Sequence, residues 1–499
     1  MLLPPYIHHP SCTHHVPVIA EQLTYILNLT VSEGKLPLEW KSARVMPLHK
    51  GGDRDNLDNY RPISRLCCLA KVLESLVNDQ VKSFLSTFSV LSPFQSGFRA
   101  QHSTISAATL VVNDIVTALD QEKHCAALFI DLSKAFDTVD HSLLLHCLAS
   151  LGLDNTSLNF FLNYFSDRRQ CVSVGTVRSE FLPLTKGVPQ GSILGPVLFT
   201  IYINNILTAL GDSCKAHLYA DDTIIYCTAD SLESANLKLQ HAFDHLQRAF
   251  KELKLVLNAS KTKVMFFTKS RNIDVNSFQI SLSNGSILER VKEYKYLGLW
   301  IDEKLTFKHH VDILSSKLRQ KIGFLYRNRS NFPPSCRKRV IESVFMSVLD
   351  YGDVIYRHAA VTTLKALDSV YHSALRFITQ DKYNTHHCVL YDKVGWTSLA
   401  ARRDYHWYQF IFKGISGRLP PYITSLLDWN VSSYQTRSSK WLVCTVPQMS
   451  TKLGRTAYSY DAANTWNSIQ NSLKLDTLPS LNDFRNLVFS ICVSPCNCF

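Results

Sequence analysis

The stretch Ala216-His217-Leu218-Tyr219-Ala220-Asp221-Asp222-Thr223-Ile224-Ile225-Tyr226 places two adjacent carboxylates between two short apolar runs. Both runs are rich in residues that favour β-strands, so the stretch predicts a hairpin with Asp221 and Asp222 at its turn. Adjacent carboxylates repel each other, and they persist at low cost only where water or a cation neutralises them. An Asp-Asp pair is also a common loop composition, so the pair alone is weak evidence for a metal site.

A third acid strengthens the interpretation. The continuous apolar run Ala126–Ile130 predicts a buried strand, and it ends directly at Asp131. A carboxylate at the mouth of a buried strand is costly unless it is paired or used. With Asp221 and Asp222 it forms the set that two-metal phosphoryl transfer needs, in which oxygen ligands hold two Mg2+ ions roughly 4 Å apart.

Composition narrows the class of protein. The chain has 499 residues, of which 46% are hydrophobic, so it is long enough for two to four domains with sizeable cores. Its 53 basic and 41 acidic residues leave a net charge of +12, which favours an anionic partner such as nucleic acid. The 14 cysteines follow no repeating spacing and indicate reduced thiols in an intracellular protein. No apolar run reaches about 18 residues, so we expect a soluble chain without a transmembrane helix.

Two further patterns indicate where a ligand approaches the chain. Strand-like runs at Ala43–Leu48 and Arg61–Ser64 flank a loop rich in glycine and charge, which predicts a finger that brings Lys50 near Arg61. A solvated loop with incidental bases is the alternative. The glycines of Lys186–Pro196 allow close backbone approach by a ligand.

The pattern changes after residue 302. Apolar residues at steps of three and four, with basic residues mostly on other faces, predict a helical region with a basic side. Further along, Trp441–Val446 predicts a strand, and a last helix is expected near Leu481–Val488. The predicted basic helices are His309–Tyr326, Arg337–Val348 and Leu364–Phe377.

The pair His386-His387 is only superficially a metal candidate. Adjacent histidines usually point apart, and these two are better explained as solvated loop residues.

Several motifs together resemble the reverse transcriptases. They occur in the order found in that family, and they cover about residues 29–302. Three of them carry the resemblance to the family, namely Phe129-Ile130-Asp131-Leu132-Ser133-Lys134-Ala135-Phe136-Asp137, Gly187-Val188-Pro189-Gln190-Gly191-Ser192 and Tyr219-Ala220-Asp221-Asp222. Three others resemble the non-LTR retrotransposon branch of the jockey type, namely Trp40–Leu48, Asn59–Ser64 and Gln95–Thr104.

The resemblance implies an α+β right-hand polymerase, with fingers and an antiparallel palm sheet, an α-helical thumb and a C-terminal extension. We therefore expect an N-terminal extension (1–28), a reverse transcriptase domain (29–302), a helical thumb-like region (303–400) and an extension of unknown role (401–499). Related elements usually carry an upstream endonuclease. No candidate for one is found in this sequence, so the chain is expected to be the polymerase part of such an element.

The resemblance also implies roles for matching residues. Asp131, Asp221 and Asp222 correspond to catalytic metal ligands that hold two Mg2+ ions, with Mn2+ as an alternative. Phe136 is similar to the bulky gate that excludes a ribose 2′-hydroxyl, and plain core packing is the other explanation for it.

Nucleotide-binding roles follow in the same way. Gln190 and Gly191 resemble the turn that packs against the template and the incoming nucleotide. Lys50 and Arg61 resemble finger residues that hold the triphosphate, which suits their charge. Lys261 resembles a proton donor to pyrophosphate, and a solvated turn lysine is the alternative.

The segment Tyr296-Leu297-Gly298 resembles the primer-grip hairpin at the junction of palm and thumb. The basic helices after residue 303 then fit a thumb that follows the duplex backbone through phosphate contacts.

These roles imply an RNA-directed DNA polymerase that extends a DNA 3′ end on an RNA template. Its expected partners are an RNA template, a DNA primer or target and deoxynucleoside triphosphates, with no membrane, and its compartment is intracellular, either nucleus or cytoplasm. One alternative is a catalytically silent nucleic-acid-binding remnant. Another is an RNA-templated RNA polymerase. Phe136 argues against it, because the gate that this residue resembles excludes a ribose 2′-hydroxyl.

Overall fold

The computed structural model describes residues 17–270, 278–429 and 441–492, so most of the predicted N-terminal extension lies outside the described residues. The strands are β1 (Ser42–His49), β2 (Tyr60–Arg65), β3 (His124–Ile130), β4 (Arg169–Val174), β5 (Val177–Arg178), β6 (Leu182–Pro183), β7 (Lys215–Tyr219), β8 (Asp222–Ala229), β9 (Lys263–Phe267), β10 (Glu293–Tyr296) and β11 (Leu299–Asp302).

The helices of the first half of the chain are α1 (Pro17–Glu33), α2 (Cys68–Thr87), α3 (Thr104–Asp120), α4 (His141–Ser150), α5 (Asn155–Phe165), α6 (Leu194–Ile203) and α7 (Leu232–Glu252). Those of the second half are α8 (Lys308–Arg327), α9 (Pro334–Val340), α10 (Ser347–Leu349), α11 (Asp353–Tyr356), α12 (Val361–Thr379), α13 (His387–Val394), α14 (Leu399–Ile415), α15 (Pro421–Thr424), α16 (Tyr458–Leu473) and α17 (Leu481–Cys492).

The palm is an antiparallel sheet in the order β7-β8-β3-β9. Strand β3, one of its two central strands, is apolar from Cys125 to Ile130, and both faces of the sheet are covered. Side chains of β3 alternate between two cores, with Leu128 and Ile130 on one face and Ala127 and Phe129 on the other. One core contains α2 and α4–α7, whereas the other contains α3, the β10–β11 hairpin and the helices α8 and α12.

The fingers are built on the β1–β2 hairpin. The two strands are antiparallel with Leu48 opposite Arg61, and β1 also pairs in parallel with β4. Strands β5 and β6 both pair with β4. The hairpin predicted from the sequence is therefore present, and the α+β class with an antiparallel palm sheet and a following set of helices is confirmed.

A third core belongs to the C-terminal part of the chain. It surrounds the buried Trp466 and joins α14, α16 and α17. Leu110 of α3 is part of this core, so the C-terminal helices pack onto the same helix that supports the palm. None of the described helices is both long and apolar enough to cross a membrane.

The prediction of a strand at Trp441–Val446 is wrong. The described residues there form only an isolated bridge between Trp429 and Cys444. Side chains of α16 take the place of a partner strand, because Asn467 bonds both the amide and the carbonyl of Cys444 at 2.8 Å. Trp466 Nε1 donates to the carbonyl of Leu442 at 2.7 Å. Side chains of a helix therefore satisfy backbone hydrogen-bonding groups that a neighbouring strand would satisfy in a sheet.

Candidate active site

The acidic hairpin turns within two residues. Tyr219 pairs with Asp222, which leaves Ala220 and Asp221 in the turn, and Ala220 has a φ of 58°. The turn is supported by Gln95, whose Oε1 accepts from the amide of Gly97 at 2.9 Å and from that of Ala220 at 3.4 Å. A Cβ on Gly97 would lie 2.3 Å from the Ala220 nitrogen, so only glycine permits this approach.

Asp131 leaves the sheet at the edge where the acidic turn lies. Its amide donates to Thr262 Oγ1 at 3.3 Å, and its carbonyl accepts from the amide of Asn258 at 2.8 Å. These bonds come from the turn that precedes β9. Lys261 of that turn places its Nζ 3.9 Å from Asp131 Oδ2. The structure therefore brings together Lys261 and Asp131, which are 130 positions apart in the chain.

The three acids act on one another through their charge. Loss of hydration, followed by the charges of Asp221 and Asp131, raises the pKa of Asp222 to about 6, although the residue is exposed. The pKa of Asp221 is raised by loss of hydration and by Asp131, while the charge of Arg61 acts in the opposite direction. The site thus concentrates negative charge that a cation would relieve.

A hard divalent cation fits this donor set, because carboxylate oxygens are the ligands that Mg2+ prefers. Asp131, Asp221 and Asp222 are the residues that would hold it. They are not among the described donor groups in which every ligand atom lies within 4.8 Å of the others.

Two other clusters of donor atoms do meet that distance. In the first, Asp350 is held by Arg402 through two bonds of 2.8 and 2.6 Å, and Asp353 bonds His406, so this cluster is an internal network of ion pairs. The second is His386, His387 and Cys388. The expectation that the two adjacent histidines point apart is wrong, since their ring centroids are 4.1 Å apart.

The glycine turn joins the fingers to the palm. The amide of Ser64 donates to the carbonyl of Gln190 at 2.7 Å, and Gln190 Nε2 donates to Asp137 Oδ1 at 2.9 Å. Gly191 has a φ of 122°, and a Cβ there would lie 2.5 Å from the Ser64 carbonyl oxygen. Asp137 had no role in the sequence analysis. Its partner is a side chain 53 positions away, which the local sequence does not indicate.

Phe136 lies on the short helical turn between Asp131 and α4, and it is half-buried. Its ring stacks on Phe199 with centroids 4.4 Å apart and meets Phe98 edge-on at 6.3 Å. Its carbonyl accepts from the amide of Val188 at 2.8 Å. These contacts hold the ring in place, and they are compatible with both explanations given for Phe136.

The basic residues of the fingers lie at the base of the finger loop. Lys50 is exposed and its Nζ donates to the carbonyl of Asp58 at 3.4 Å. Arg61 is exposed on β2, and its charge reaches Asp221. Lys134, which the sequence analysis quoted without giving it a role, forms an ion pair of 2.9 Å with Asp58 and so links the finger loop to the palm.

The predicted primer-grip residues form the tight turn between β10 and β11. Tyr296 and Leu297 are buried, and Leu297 and Gly298 both have positive φ angles, of 46° and 88°. The hydroxyl of Tyr351 donates to the Leu297 carbonyl. The neighbouring Tyr294 stacks on Phe129 of the palm at 4.1 Å. The turn is therefore fixed against both the palm and the helices that follow.

Comparison with known proteins identifies the family to which this chain belongs. Residues 48–301, half of the chain, match the family described as reverse transcriptase (RNA-dependent DNA polymerase). The chain belongs to the reverse transcriptase family. The matched range contains the palm sheet, strand β2 of the finger hairpin and the turn between β10 and β11.

Named relatives come from retrotransposons. The chain is 30% identical over 367 residues to the RNA-directed DNA polymerase from mobile element jockey of Drosophila melanogaster, and 29% identical over 371 residues to the probable RNA-directed DNA polymerase from transposon BS of the same species. Each match covers 72% of this reverse transcriptase chain, and the chain spans only 40% and 41% of the two relatives. The resemblance to the jockey type is confirmed.

Among solved structures, the chain is similar to apo telomerase from Candida tropicalis at 10% identity. That match has a TM-score of 0.41 and covers 95% of this chain and 74% of the telomerase chain.

Proposed function

We propose that this reverse transcriptase is an RNA-directed DNA polymerase that extends a DNA 3′ end on an RNA template as part of a non-LTR retrotransposon. The observation that carries the proposal is the placement of Asp131, Asp221 and Asp222. They leave one edge of the palm sheet together, and the charge of Asp131 contributes to the raised pKa of both Asp221 and Asp222. This is where a polymerase of this family needs its metal-binding acids.

The proposed reaction is phosphoryl transfer. The primer 3′-oxygen forms a bond to the α-phosphorus of a deoxynucleoside triphosphate, the bond from that phosphorus to pyrophosphate breaks, and the proton of the 3′-hydroxyl passes to solvent water. Two divalent ions, Mg2+ or Mn2+, would supply Lewis-acid activation of the hydroxyl and neutralise the phosphate charge. Asp131, Asp221 and Asp222 would hold them.

Cationic side chains near the acids would neutralise the negative charge of the triphosphate and of the departing pyrophosphate. Lys50 and Arg61 lie at the loop end of the finger hairpin, and in this proposal they hold the triphosphate. Lys261 lies close to Asp131 and would donate a proton to the departing pyrophosphate. Lys134 positions the finger loop through its ion pair with Asp58.

Other residues near the acids would position the sugar and the template. Phe136 is held by Phe199 and would exclude a ribose 2′-hydroxyl. Gln190 and Gly191 tie the finger strand to the palm, and their turn would pack against the template and the incoming nucleotide.

We propose the same domain organisation as the sequence suggested. Residues 29–302 form the fingers and palm, and the turn Tyr296-Leu297-Gly298 grips the primer. The helices of 303–400 form a thumb that contacts duplex phosphates through its basic side. Residues 401–499 form a C-terminal extension, and its described part has a separate core around Trp466.

Primer extension on an RNA template tests the proposal directly. The purified chain with Mg2+ should add deoxynucleotides, and Asp221→Ala and Asp222→Ala should abolish addition. Asp230→Ala is the matched control, because Asp230 is an exposed acid just beyond the other end of β8. Unimpaired extension by Asp222→Ala would contradict the mechanism. Binding of primer and template without extension by the parent chain would identify a silent remnant, and equal use of ribonucleotides would favour an RNA polymerase.

A further inference from the structure

A buried hydroxyl of the C-terminal extension reaches the support of the acidic hairpin. Tyr422 lies on α15 and is 6% exposed. Its hydroxyl oxygen is 2.8 Å from Ser96 Oγ and 3.1 Å from Ser106 Oγ of α3. Ser96 is more than 300 positions earlier in the chain and 1% exposed. The extension therefore inserts a polar group into the interior of the polymerase domain.

Ser96 is the centre of this network. Besides Tyr422 it contacts His217 Nε2 at 2.9 Å and His102 Nδ1 at 3.0 Å. His217 lies on β7, four positions before Asp221, and it is completely buried. Loss of hydration lowers the pKa of His217 to about 3 and that of His102 to about 4, so both rings are neutral near pH 7.

The contacts of Tyr422 with Ser96 and Ser106 allow either oxygen as the donor, and the following arrangement of hydrogens is one that satisfies every hydroxyl. Ser106 Oγ donates to the Ser103 carbonyl at 2.9 Å, so Tyr422 donates to Ser106 and accepts from Ser96. Ser96 then accepts from one N–H of each neutral histidine, which are His217 and His102. The tautomers are inferred from this network. In this arrangement Tyr422 accepts from the Ser96 hydroxyl, and in either direction its hydroxyl joins Ser96 to Ser106 of α3.

The segment that carries Ser96 is also the edge partner of the acidic hairpin. The Ser96 amide donates to the Leu218 carbonyl at 2.8 Å, and the Leu218 amide donates to the Phe94 carbonyl at 2.9 Å. Gln95 Oε1 accepts from the turn amide of Ala220. One side of β7 is paired with β8, and this short segment supports the other side up to the acidic turn.

We propose that Tyr422 is a positioning residue for the Asp221-Asp222 turn, and that residues 401–499 serve the polymerase site by supporting the 94–97 segment against β7. This proposal rests on the proposed function for its catalytic consequence. The Tyr422 ring covers His217 edge-on at a centroid distance of 5.0 Å and stacks near Phe94 at 6.4 Å. Tyr422 thus contacts both β7, through His217, and the 94–97 segment, through Phe94. Its effect on the acids is therefore indirect.

The decisive variant is Tyr422→Phe, which keeps the ring and removes only the hydroxyl. Tyr458→Phe is the matched control, because Tyr458 is a buried tyrosine of the same C-terminal core whose hydroxyl has no hydrogen-bond partner among the described residues. Hydrogen exchange of residues 215–229 should become roughly fivefold faster in Tyr422→Phe and stay unchanged in Tyr458→Phe. The kcat for primer extension should fall by a similar factor while the KM for deoxynucleotide stays unchanged.

A double-mutant cycle guards against a general loss of stability. Ser96→Ala removes the bond between Ser96 and Tyr422, so Tyr422→Phe should loosen the hairpin less in the Ser96→Ala background than in the parent chain. Hairpin exchange in Tyr422→Phe equal to that in Tyr458→Phe would overturn the proposal, as would fully additive effects. If the parent chain extends no primer, the proposed function fails, and the exchange measurement still decides whether Tyr422 supports the hairpin.

Discussion

Ile130 and Thr223 lie opposite each other across the two central strands of the palm sheet. Asp131 directly follows one of them and Asp222 directly precedes the other, so both acids leave the sheet at the same edge. A register shift of one residue would turn the side chains of a strand to the other face. Because both faces of this sheet are buried in separate cores, the register that brings the acids together is strongly specified.

The charge at this edge has a consequence for stability. Without divalent cations, Asp222→Asn is expected to raise the free energy of unfolding at pH 7, because it removes one of three adjoining negative charges. The pKa of Asp222 in the fold, about 6, is above its ordinary value of about 3.8. The unfolded chain therefore binds fewer protons between these values, and parental stability falls as pH rises from 4 to 6.

Urea unfolding at several pH values checks this prediction. The gain of Asp222→Asn over the parent should be largest above pH 6 and should vanish toward pH 4. Asp230→Asn should show no such gain, since that acid is exposed and lies beyond the other end of β8. Added Mg2+ should stabilise the parent more than Asp222→Asn, because a ligand stabilises the state that binds it. Equal responses to Mg2+ would contradict the assignment of Asp222 as a ligand.

The contact between Gly191 and Ser64 leads to a second prediction. Gly191→Ala should lower the free energy of unfolding by about 1–3 kcal/mol and raise the KM for deoxynucleotide, because a Cβ would lie 2.5 Å from the Ser64 carbonyl oxygen. Gly51→Ala is the matched control, with a similar φ of 117° and no atom within 4 Å of an added Cβ. Equal destabilisation by the two variants would assign the effect to backbone strain alone.

Much of the candidate site could be predicted because its residues occur in short motifs. Asp131 ends an apolar strand and Asp221-Asp222 interrupt a β-like stretch, and both patterns are local. The fold was predictable for the same reason, since β3 is apolar from Cys125 to Ile130 and the helices carry regular apolar faces.

Contacts between distant segments could not be predicted. The ion pair of Lys134 with Asp58 and the bond of Tyr422 with Ser96 depend on how the domains pack, and neither residue type at those positions indicates its partner. The sequence of Trp441–Val446 predicts a strand that does not form. β-propensity indicates only that the side chains fit a half-buried surface, and an element other than a neighbouring strand can provide that surface. Here α16 provides it.

The stacking of Phe136 on Phe199 supports a third prediction. Phe136→Ala should increase the use of ribonucleotides relative to deoxynucleotides, because a smaller side chain leaves room for a 2′-hydroxyl. The ratio of kcat/KM for the two sugars measures this, and a general loss of stability does not change it selectively. Phe98→Ala is a useful comparison, since Phe98 touches the same ring from its edge at 6.3 Å. An unchanged ratio in Phe136→Ala would leave core packing as its role.

The docking of the C-terminal part onto α3 leads to the last prediction. Asp120 ends α3 and is buried, and its carboxylate accepts from the amides of Ser450 and Thr451 at 2.9 and 2.8 Å and from the Thr451 hydroxyl. Asp120→Asn should lower the free energy of unfolding by about 1–3 kcal/mol, because an amide cannot accept all of these bonds. Glu122→Gln removes the same charge two positions further on and should have little effect.

The pH dependence of unfolding tests whether the charge of Asp120, or only the shape of its side chain, holds the C-terminal part on α3. Loss of hydration opposes ionisation of Asp120, but the hydrogen bonds from Thr451 and Ser450 outweigh it and lower its pKa. A lowered pKa contributes stability that is present above about pH 4 and is lost as the pH falls further. Urea unfolding should therefore show a difference between the parent and Asp120→Asn at pH 7 that shrinks below pH 4. A difference that stays constant with pH would mean that shape, and not the charge of Asp120, holds the C-terminal part on α3.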